Sequence, residues 1–333
     1  MYYNLILLPI FLYLLNLFLV KLNFLVDNPS DSFHKIEKKK NIPLSGGIFI
    51  FFCIILNKIV SDEYFITPNL LICFLLILIL GIFSDIRKNF SPKLRIIYQL
   101  LIIIFLVTIN QELLVDRTNI DFFDNLIQNK YARIIFTVFC IITLLNGFNF
   151  MDGVNGLVTG YKLSILVVMS FISHKLFGLF YLNEIILVFL IFFIFNIFGK
   201  SFLGDNGVYL SSILFSFIII NFINSNKIVS PILAISLFWY PAIENLFTIL
   251  RRLSKKKMTY LPDKLHLHSL IYKKINFKPN INKNSLTGLI INLALIPNFV
   301  ASYFFFDNSF YLGILVLIYI IIYIISYKLL IKK

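Results

Sequence analysis

Charge is scarce in this sequence, and acids are scarcer than bases. Of 333 residues, 16 are Asp or Glu and 30 are Lys or Arg. The charged fraction is 14%, against about 25% in an ordinary soluble domain. The three cysteines, Cys53, Cys73 and Cys140, fall in separate apolar stretches without CxxC spacing. That excludes a disulfide framework or a thiolate metal site. Only four histidines occur and no HExxH string is present, which removes the helical zinc-peptidase reading. The first apolar stretch, opening MYYN, lacks a basic leader and a small-residue cleavage site, so it reads as a permanent helix rather than a signal peptide. No repeat period and no separate soluble domain are evident. The net charge of +14 therefore has no basic domain to carry it onto nucleic acid.

What is present is hydrocarbon. The chain is 59% hydrophobic, with Phe, Ile and Leu in runs of roughly 16 to 24 residues, enough to cross about 30 Å of bilayer core. The runs are apolar all round, unlike the one-sided stripe of a soluble helix. About eleven spans are expected, centred near residues 14, 52, 76, 102, 142, 166, 192, 215, 239, 296 and 320, with those near 52 and 142 the shortest. The fold class is all-α: one polytopic integral-membrane domain over residues 1–333. By this alternation about 23 of the 30 basic residues lie in loops on one side, which the positive-inside rule makes cytoplasmic, with the N-terminus outside. Those loops cover about 27–45, 84–93, 151–157, 199–207 and 251–285. The opposite segment from Asn110 to Arg133 reads as an ordinary surface loop with an interfacial turn.

The few acids are not scattered. Asp27, Asp85, Asp152, Asp205 and Asp263 each end an apolar stretch, in DNPSDSFHK, GIFSDIRK, NFMDGVNGL, FLGDNG and LPDKLHLH, and alternation puts all five on the cytoplasmic side. Ionisable groups at the hydrocarbon edge are costly and mark functional sites. In NGFNFMDGVNGL, Asn146, Asn149, Asp152 and Asn155 recur at spacings of three, one helical face running into a glycine-rich turn. They must bind one another, a ligand or a cation. Asp205 between Gly204 and Gly207 reads as a carboxylate on an open turn suited to Mg²⁺ or Mn²⁺, the plainer reading being a cap for the next helix. Asp85 precedes Arg87, Lys88, Lys93 and Arg95, either a solvated ion pair or a place for a phosphate and a cation together. His266 and His268, with Arg251 and Arg252 upstream, fit a pyrophosphate clamp better than a metal site.

Taken in order, these five motifs resemble the polyprenyl-phosphate N-acetylhexosamine-1-phosphate transferases. The likeness runs from Asp27 to Ser269 and is closer to the branch that initiates O-antigen and enterobacterial common antigen than to phospho-N-acetylmuramoyl-pentapeptide transferase. The resemblance implies a magnesium-dependent glycosyl-1-phosphate transferase acting on undecaprenyl phosphate and a UDP-N-acetylhexosamine in a bacterial inner membrane, at its cytoplasmic face. It serves a cell-surface glycan such as lipopolysaccharide, and a homodimer is allowed. It makes Asp205 the main metal ligand and Asn149 a second contact. Asp85 would position or deprotonate the lipid phosphate. Asn146, Asp152, Gly153 and Asn155 would receive the nucleotide. Lys93, Arg251, Arg252, His266 and His268 would face the pyrophosphate.

Three departures bear on this. Ser84 stands where the family has the first of paired aspartates, Asn155 replaces the second aspartate of DGxDG, and the histidine motif ends His266-Leu267-His268-Ser269. In the first loop only His34 offers an equivalent for the family's histidine. These differences argue against the peptidoglycan enzyme. A non-catalytic homologue and a transporter of an anionic solute are the other readings. Transporters place polar groups at the bilayer midplane, whereas mid-span charge is nearly absent here. The sugar is not readable from these residues.

Overall fold

The computed structural model describes residues 2–27, 41–60, 66–87, 89–176, 181–254, 256, 265–275 and 282–331. The first-loop run holding His34, the Lys88 position and the Asp263–Lys264 part of the last motif lie outside the described residues. Among the described residues thirteen α-helices follow one another: α1 (Tyr2–Lys21), α2 (Gly46–Val60), α3 (Pro68–Ile86), α4 (Pro92–Ile109), α5 (Asp121–Ile127), α6 (Lys130–Met151) and α7 (Leu157–Leu176). Then come α8 (Tyr181–Ile197), α9 (Gly204–Ser225), α10 (Ile232–Ser254), α11 (Leu267–Lys274), α12 (Lys283–Phe304) and α13 (Ser309–Ile331). A two-residue antiparallel pairing of β1 (Val26–Asp27) with β2 (Ile42–Pro43) is the only sheet among the described residues.

Among the described residues eight helices are long and apolar enough to cross a membrane, and α1, α2 and α8 hold shorter apolar segments. These eleven match the expected spans, and the chain is an all-α, multi-pass membrane protein. The span near 142 is not short: α6 runs 22 residues. Lys130 and Arg133 at one end and Asn146 and Asn149 at the other trim its apolar run, while the helix continues through them. Asn129 starts it by accepting the Tyr131 and Ala132 N–H groups at 2.9 and 3.2 Å, the usual role of an asparagine cap.

Burial separates an inner from an outer layer. In α9, 89% of the apolar window is buried, against 17% in α13. Helix α9 is thus the axis, packed against α2, α3 and α6, while α13 shows most of its surface to lipid. Serines and asparagines thread this interior, as membrane helices use small and polar side chains at close contacts. Two buried charges, Lys162 in α7 and Glu244 in α10, correct the expectation that mid-span charge is nearly absent. Lys162 donates to Ser211 Oγ at 2.6 Å and lies 4.1 Å above the Phe148 ring. A partnered charge inside a bundle costs far less than one facing lipid.

The 110–133 segment is more ordered than a surface loop. Arg117 reaches the carbonyls of Ile223, Asn226 and Val229 at 3.3, 2.9 and 2.8 Å, satisfying the C-terminal end of α9. Asn119 bonds Ser309 at the start of α13, and Arg133 pairs with Asp116.

Strict up-and-down threading places Asn119 and Lys256 at opposite ends. Single cysteines introduced there should take a membrane-impermeant thiol reagent from opposite sides in intact cells. Labelling of both from outside would refute the threading.

Candidate functional site

The end of the bundle carrying the acidic motifs is organised by the first turn of α9. Gly204 adopts φ +69°, a left-handed conformation that glycine enters at no steric penalty. A side chain there would also meet Asp85 Oδ2 at 2.8 Å. From the last turn of α3, Asp85 accepts the Asp205 N–H on Oδ1 at 2.9 Å and the Asn206 N–H on Oδ2 at 3.0 Å. The Asn206 side-chain amide adds a third donor at 2.5 Å. A helix N-terminus exposes unpaired N–H groups and partial positive charge, and a carboxylate satisfies both. Asp85 is therefore the cap of α9, supplied from another helix. Asn206, fully buried, extends the lock: it donates to Leu44 O at 3.0 Å and accepts the Gly47 N–H at 2.7 Å.

With its backbone held this way, Asp205 projects a partly exposed carboxylate. Oδ2 accepts Ser84 Oγ at 2.5 Å, Arg95 Nη1 at 3.0 Å and Tyr209 Oη at 3.3 Å, while Oδ1 faces Asn149 Nδ2 at 3.4 Å. Asp205 lies in the first turn of the helix rather than on an open turn, which corrects the sequence reading. Arg95, passed over in favour of Lys93, is the cation that meets it. Lys93 is exposed on the same first turn of α4. A side chain two residues along a helix points to another face, and sequence alone does not say which of the two faces inward. Ser84 donates to Asp205, so the residue in place of the family's first aspartate binds this carboxylate instead of adding a second one.

This donor set fits a hard divalent cation in outline. No cluster of three or more His, Cys, Asp and Glu residues occurs among the described residues. Such an ion would take only one or two protein oxygens, the rest coming from phosphate and water, as magnesium commonly does. Asp205 Oδ1 and, after an amide flip, the Asn149 carboxamide oxygen would be the candidates. The amide's N and O are interchangeable by a flip.

The DGVNG turn is built as a clamp. Asn146 donates back to the Ile142 carbonyl at 2.9 Å within α6, so of that helical face Asn149 is the member that reaches Asp205. Asp152 ends α6, its N–H bonded to Phe148 O at 3.1 Å, and its side chain is partly exposed. Asn155 is buried against α12: its N–H bonds Asn284 Oδ1 at 2.7 Å and its amide approaches Ser285 Oγ at 3.4 Å. Gly156 is fixed from two sides, its N–H by Asn196 at 2.7 Å and its carbonyl by Asn292 at 2.8 Å. Asn196, Asn206, Asn284 and Asn292 are not legible as site residues in the sequence, because each lies alone in an apolar helix or outside a motif's obvious acid.

The histidine motif folds over this turn. A Cβ on Gly153 would collide with His268 Nε2, so the two segments come together as only glycine permits. His266 and His268 stack with rings 5.6 Å apart and 3° from parallel, and His266 also faces the Phe150 ring at 5.2 Å. Arg252 lies over Phe150 at 5.7 Å. Arg251 donates to Leu265 O at 2.6 Å and to Tyr327 Oη. It ties α10 to the histidine segment and α13. The structure thus gathers Asp85, Asn149, Arg95 and Asp205 into one cluster and Gly153, Arg252, His266 and His268 into another.

Comparison with known proteins finds relatives of one kind. The family described as Glycosyl transferase family 4 matches residues 67–223, a stretch holding Ser84, Asp85, Arg95, Asn149 and Asp205. The chain is 25% identical, over 81% of its length and 76% of the relative's, to a Bacillus subtilis protein named Probable undecaprenyl-phosphate N-acetylglucosaminyl 1-phosphate transferase. It is 25% identical to the Escherichia coli undecaprenyl-phosphate alpha-N-acetylglucosaminyl 1-phosphate transferase over 75% of this chain and 69% of that protein. A phospho-N-acetylmuramoyl-pentapeptide-transferase of Borrelia turicatae is 28% identical over a shorter stretch, 44% of this chain and 47% of its own.

If Asp85 is a cap, Asp85→Asn replaces one acceptor oxygen with an amide that faces donors. The variant is expected to lose about 1–3 kcal/mol, the usual penalty for an unsatisfied buried polar group. In detergent it should melt below the wild type, whereas Asp205→Asn should melt nearly with it. Equal melting of Asp85→Asn and wild type would rule the cap out as a structural element.

Proposed function

We infer that this chain is a member of glycosyl transferase family 4 and moves a sugar-1-phosphate from a UDP-N-acetylhexosamine to a polyprenyl phosphate. A phosphate oxygen of the lipid bonds to the β-phosphorus of the nucleotide sugar. The bond from that phosphorus to the bridging oxygen breaks, and UMP leaves with the oxygen. The observation that carries this reading is the convergence of Asp205, Arg95, Asn149 and the histidine segment at one end of a membrane bundle. Two anionic substrates must be brought together there, one of them a lipid. The relatives' names supply undecaprenyl phosphate as acceptor and N-acetylglucosamine as the favoured sugar.

Phosphoryl transfer leaves the protein little covalent work; positioning and charge neutralisation dominate. Asp205 and Asn149 would hold Mg²⁺ or Mn²⁺, which when bound neutralises phosphate charge and aligns the oxygens. Arg95, held at Asp205 and against the Phe90 ring at 5.9 Å, places a fixed guanidinium beside the same point. Arg252 and His268 would supply further positive charge and N–H donors beside Phe150 and Gly153. Asp152 and Gly153 would receive the nucleotide, and Lys93, exposed on the same turn of α4 as Arg95, would face the pyrophosphate only from outside the Arg95–Asp205 pair. Asp85 acts through α9, by fixing where Asp205 stands.

A cleft of about 980 Å³ between α3 and α4 supports a lipid acceptor. Leu76, Ile79, Phe83, Leu94 and Tyr98 line it on the membrane-facing side, and Arg87 and Ser91 close its site end. Arg87 lies 4.8 Å above Phe83, and Phe83 meets Phe90 edge-on at 5.0 Å. Aromatic rings thus run from the apolar cleft to the Arg95–Asp205 pair. A prenyl chain in the cleft would put its phosphate among these cations.

The basic loops at the site end favour a cytoplasmic face for that end, and the bacterial relatives favour an inner membrane. The product would begin a surface glycan such as an O-antigen. The peptidoglycan alternative is disfavoured by the shorter span of its likeness, and the transporter reading by the gathering of polar motifs at one end.

Purified protein given undecaprenyl phosphate, Mg²⁺ and a panel of UDP-N-acetylhexosamines should release UMP with at least one of them. Asp205→Asn should lower the rate by about 10³-fold, within the roughly 10²–10⁴ typical of one positioned group. Ile79→Trp should raise the KM for the lipid several-fold and leave that for the sugar nucleotide unchanged. Absence of UMP with every sugar nucleotide would overturn the assignment.

A further inference from the structure

Glu244 is the most deeply buried acid of the site half, with no exposed surface. It lies inside α10, one turn beyond Pro241, where α10 touches α6: a Cβ on Gly147 would collide with the Pro241 carbonyl. That close crossing brings Glu244 level with Phe150 and the histidine segment. A lone carboxylate in such a place would be strongly disfavoured. Here both oxygens are engaged: Oε1 meets His266 Nδ1 at 2.8 Å and Oε2 accepts the Tyr323 hydroxyl at 3.0 Å.

The chemistry of this pair fixes the ring. An ionised carboxylate has no proton to give, so His266 Nδ1 must carry the hydrogen. Nε2 is then the nitrogen left for a ligand, and it meets a phosphate oxygen as an N–H donor when the ring carries both protons. Buried carboxylates that hold one ring nitrogen commonly set the tautomer and direction of the other. The surroundings hold the ring in place as well: it packs against Phe150 and parallel to His268, and His268 packs against Gly153. Other titratable groups packed around the pair are Tyr240 on α10 and Tyr323 on α13. Arg251, paired with Tyr327, lies two turns further along α10.

We propose that Glu244 is a positioning residue for the transfer reaction: it locks His266 with Nδ1–H inward and Nε2 directed at a phosphate oxygen of the diphosphate substrate. Tyr323 from α13 holds the second carboxylate oxygen and so keeps Glu244 itself from turning. The kinetic part rests on the transferase reading; the ring geometry does not.

The chain's four histidines make the test tractable by ¹⁵N NMR, each assigned by single substitution. In the wild type the His266 ring should show a protonated Nδ1. Glu244→Gln, whose amide can donate as well as accept, should give a mixture of tautomers. Its kcat should fall about 10–100-fold, the typical effect of losing such a supporting partner, with both KM values within about threefold. Because Glu244 acts through His266, Glu244→Gln in a His266→Gln background should cause almost no further loss. Multiplying losses, or a wild-type His266 protonated on Nε2 alone, would overturn the proposal. Should Glu244→Gln not fold, the wild-type spectrum still decides. A wild type that releases no UMP yet shows the inward Nδ1–H refutes the transferase reading and leaves the ring geometry standing.

Discussion

The rest of the site depends on one contact, the Asp85 carboxylate against the N-terminus of α9. Helix α9 is the buried axis of the bundle, so its first N–H groups have no water to meet. Asp85 supplies acceptors for two of them and for the Asn206 amide. Close approach of the helices makes this possible: a Cβ on Gly81 would collide with Asn206 Cα. The cap fixes the direction in which the next side chain, Asp205, leaves the helix.

Two adjacent acids thereby divide the labour. Asp85 is turned inward and consumed by backbone. Asp205 is turned outward, steadied by Ser84, Arg95, Tyr209 and Asn149 from four different turns of structure, and still partly exposed. A family member with aspartate at position 84 would set two carboxylates against each other at this point. Here a hydroxyl donates instead, and the carboxylate is stabilised before any ion or substrate arrives. The glycine-rich turn, held by Asn284, Asn196 and Asn292, and the histidine segment packed on Gly153 form a second cluster. In the proposed reaction the substrates would meet between the two.

Much of this is legible in the chain. Eleven apolar runs, their alternation and five acidic motifs at alternate ends determine which residues share a membrane face, since a hydrophobic span leaves the chain no other course. The motif FLGD singles out Asp205, and the triplet spacing in NGFNFMD sets Asn149 on a face that reaches it. Side-chain direction is not legible. Lys93 and Arg95 are two residues apart on α4, and only the packing of α3, α4 and α9 decides that Arg95 turns inward. Asp85 reads as a reacting acid because its partner, a set of backbone N–H groups 120 residues away, has no sequence signature. Asn155 and Arg251 read as substrate contacts and prove to be bonded to α12, Leu265 and Tyr327. Glu244 and Lys162 are hidden inside apolar runs, where one charge barely changes the local average.

The central claim concerns the bond that breaks: it lies between the two phosphorus atoms of the sugar nucleotide, not at the sugar carbon. A UDP-N-acetylhexosamine carrying ³²P in its β-phosphate separates the two directly, once the extractable lipid is resolved from the aqueous nucleotide. The label is expected to enter the lipid fraction in step with formation of unlabelled UMP. Label remaining in the aqueous phase as UDP, with the sugar alone on the lipid, would contradict the claim.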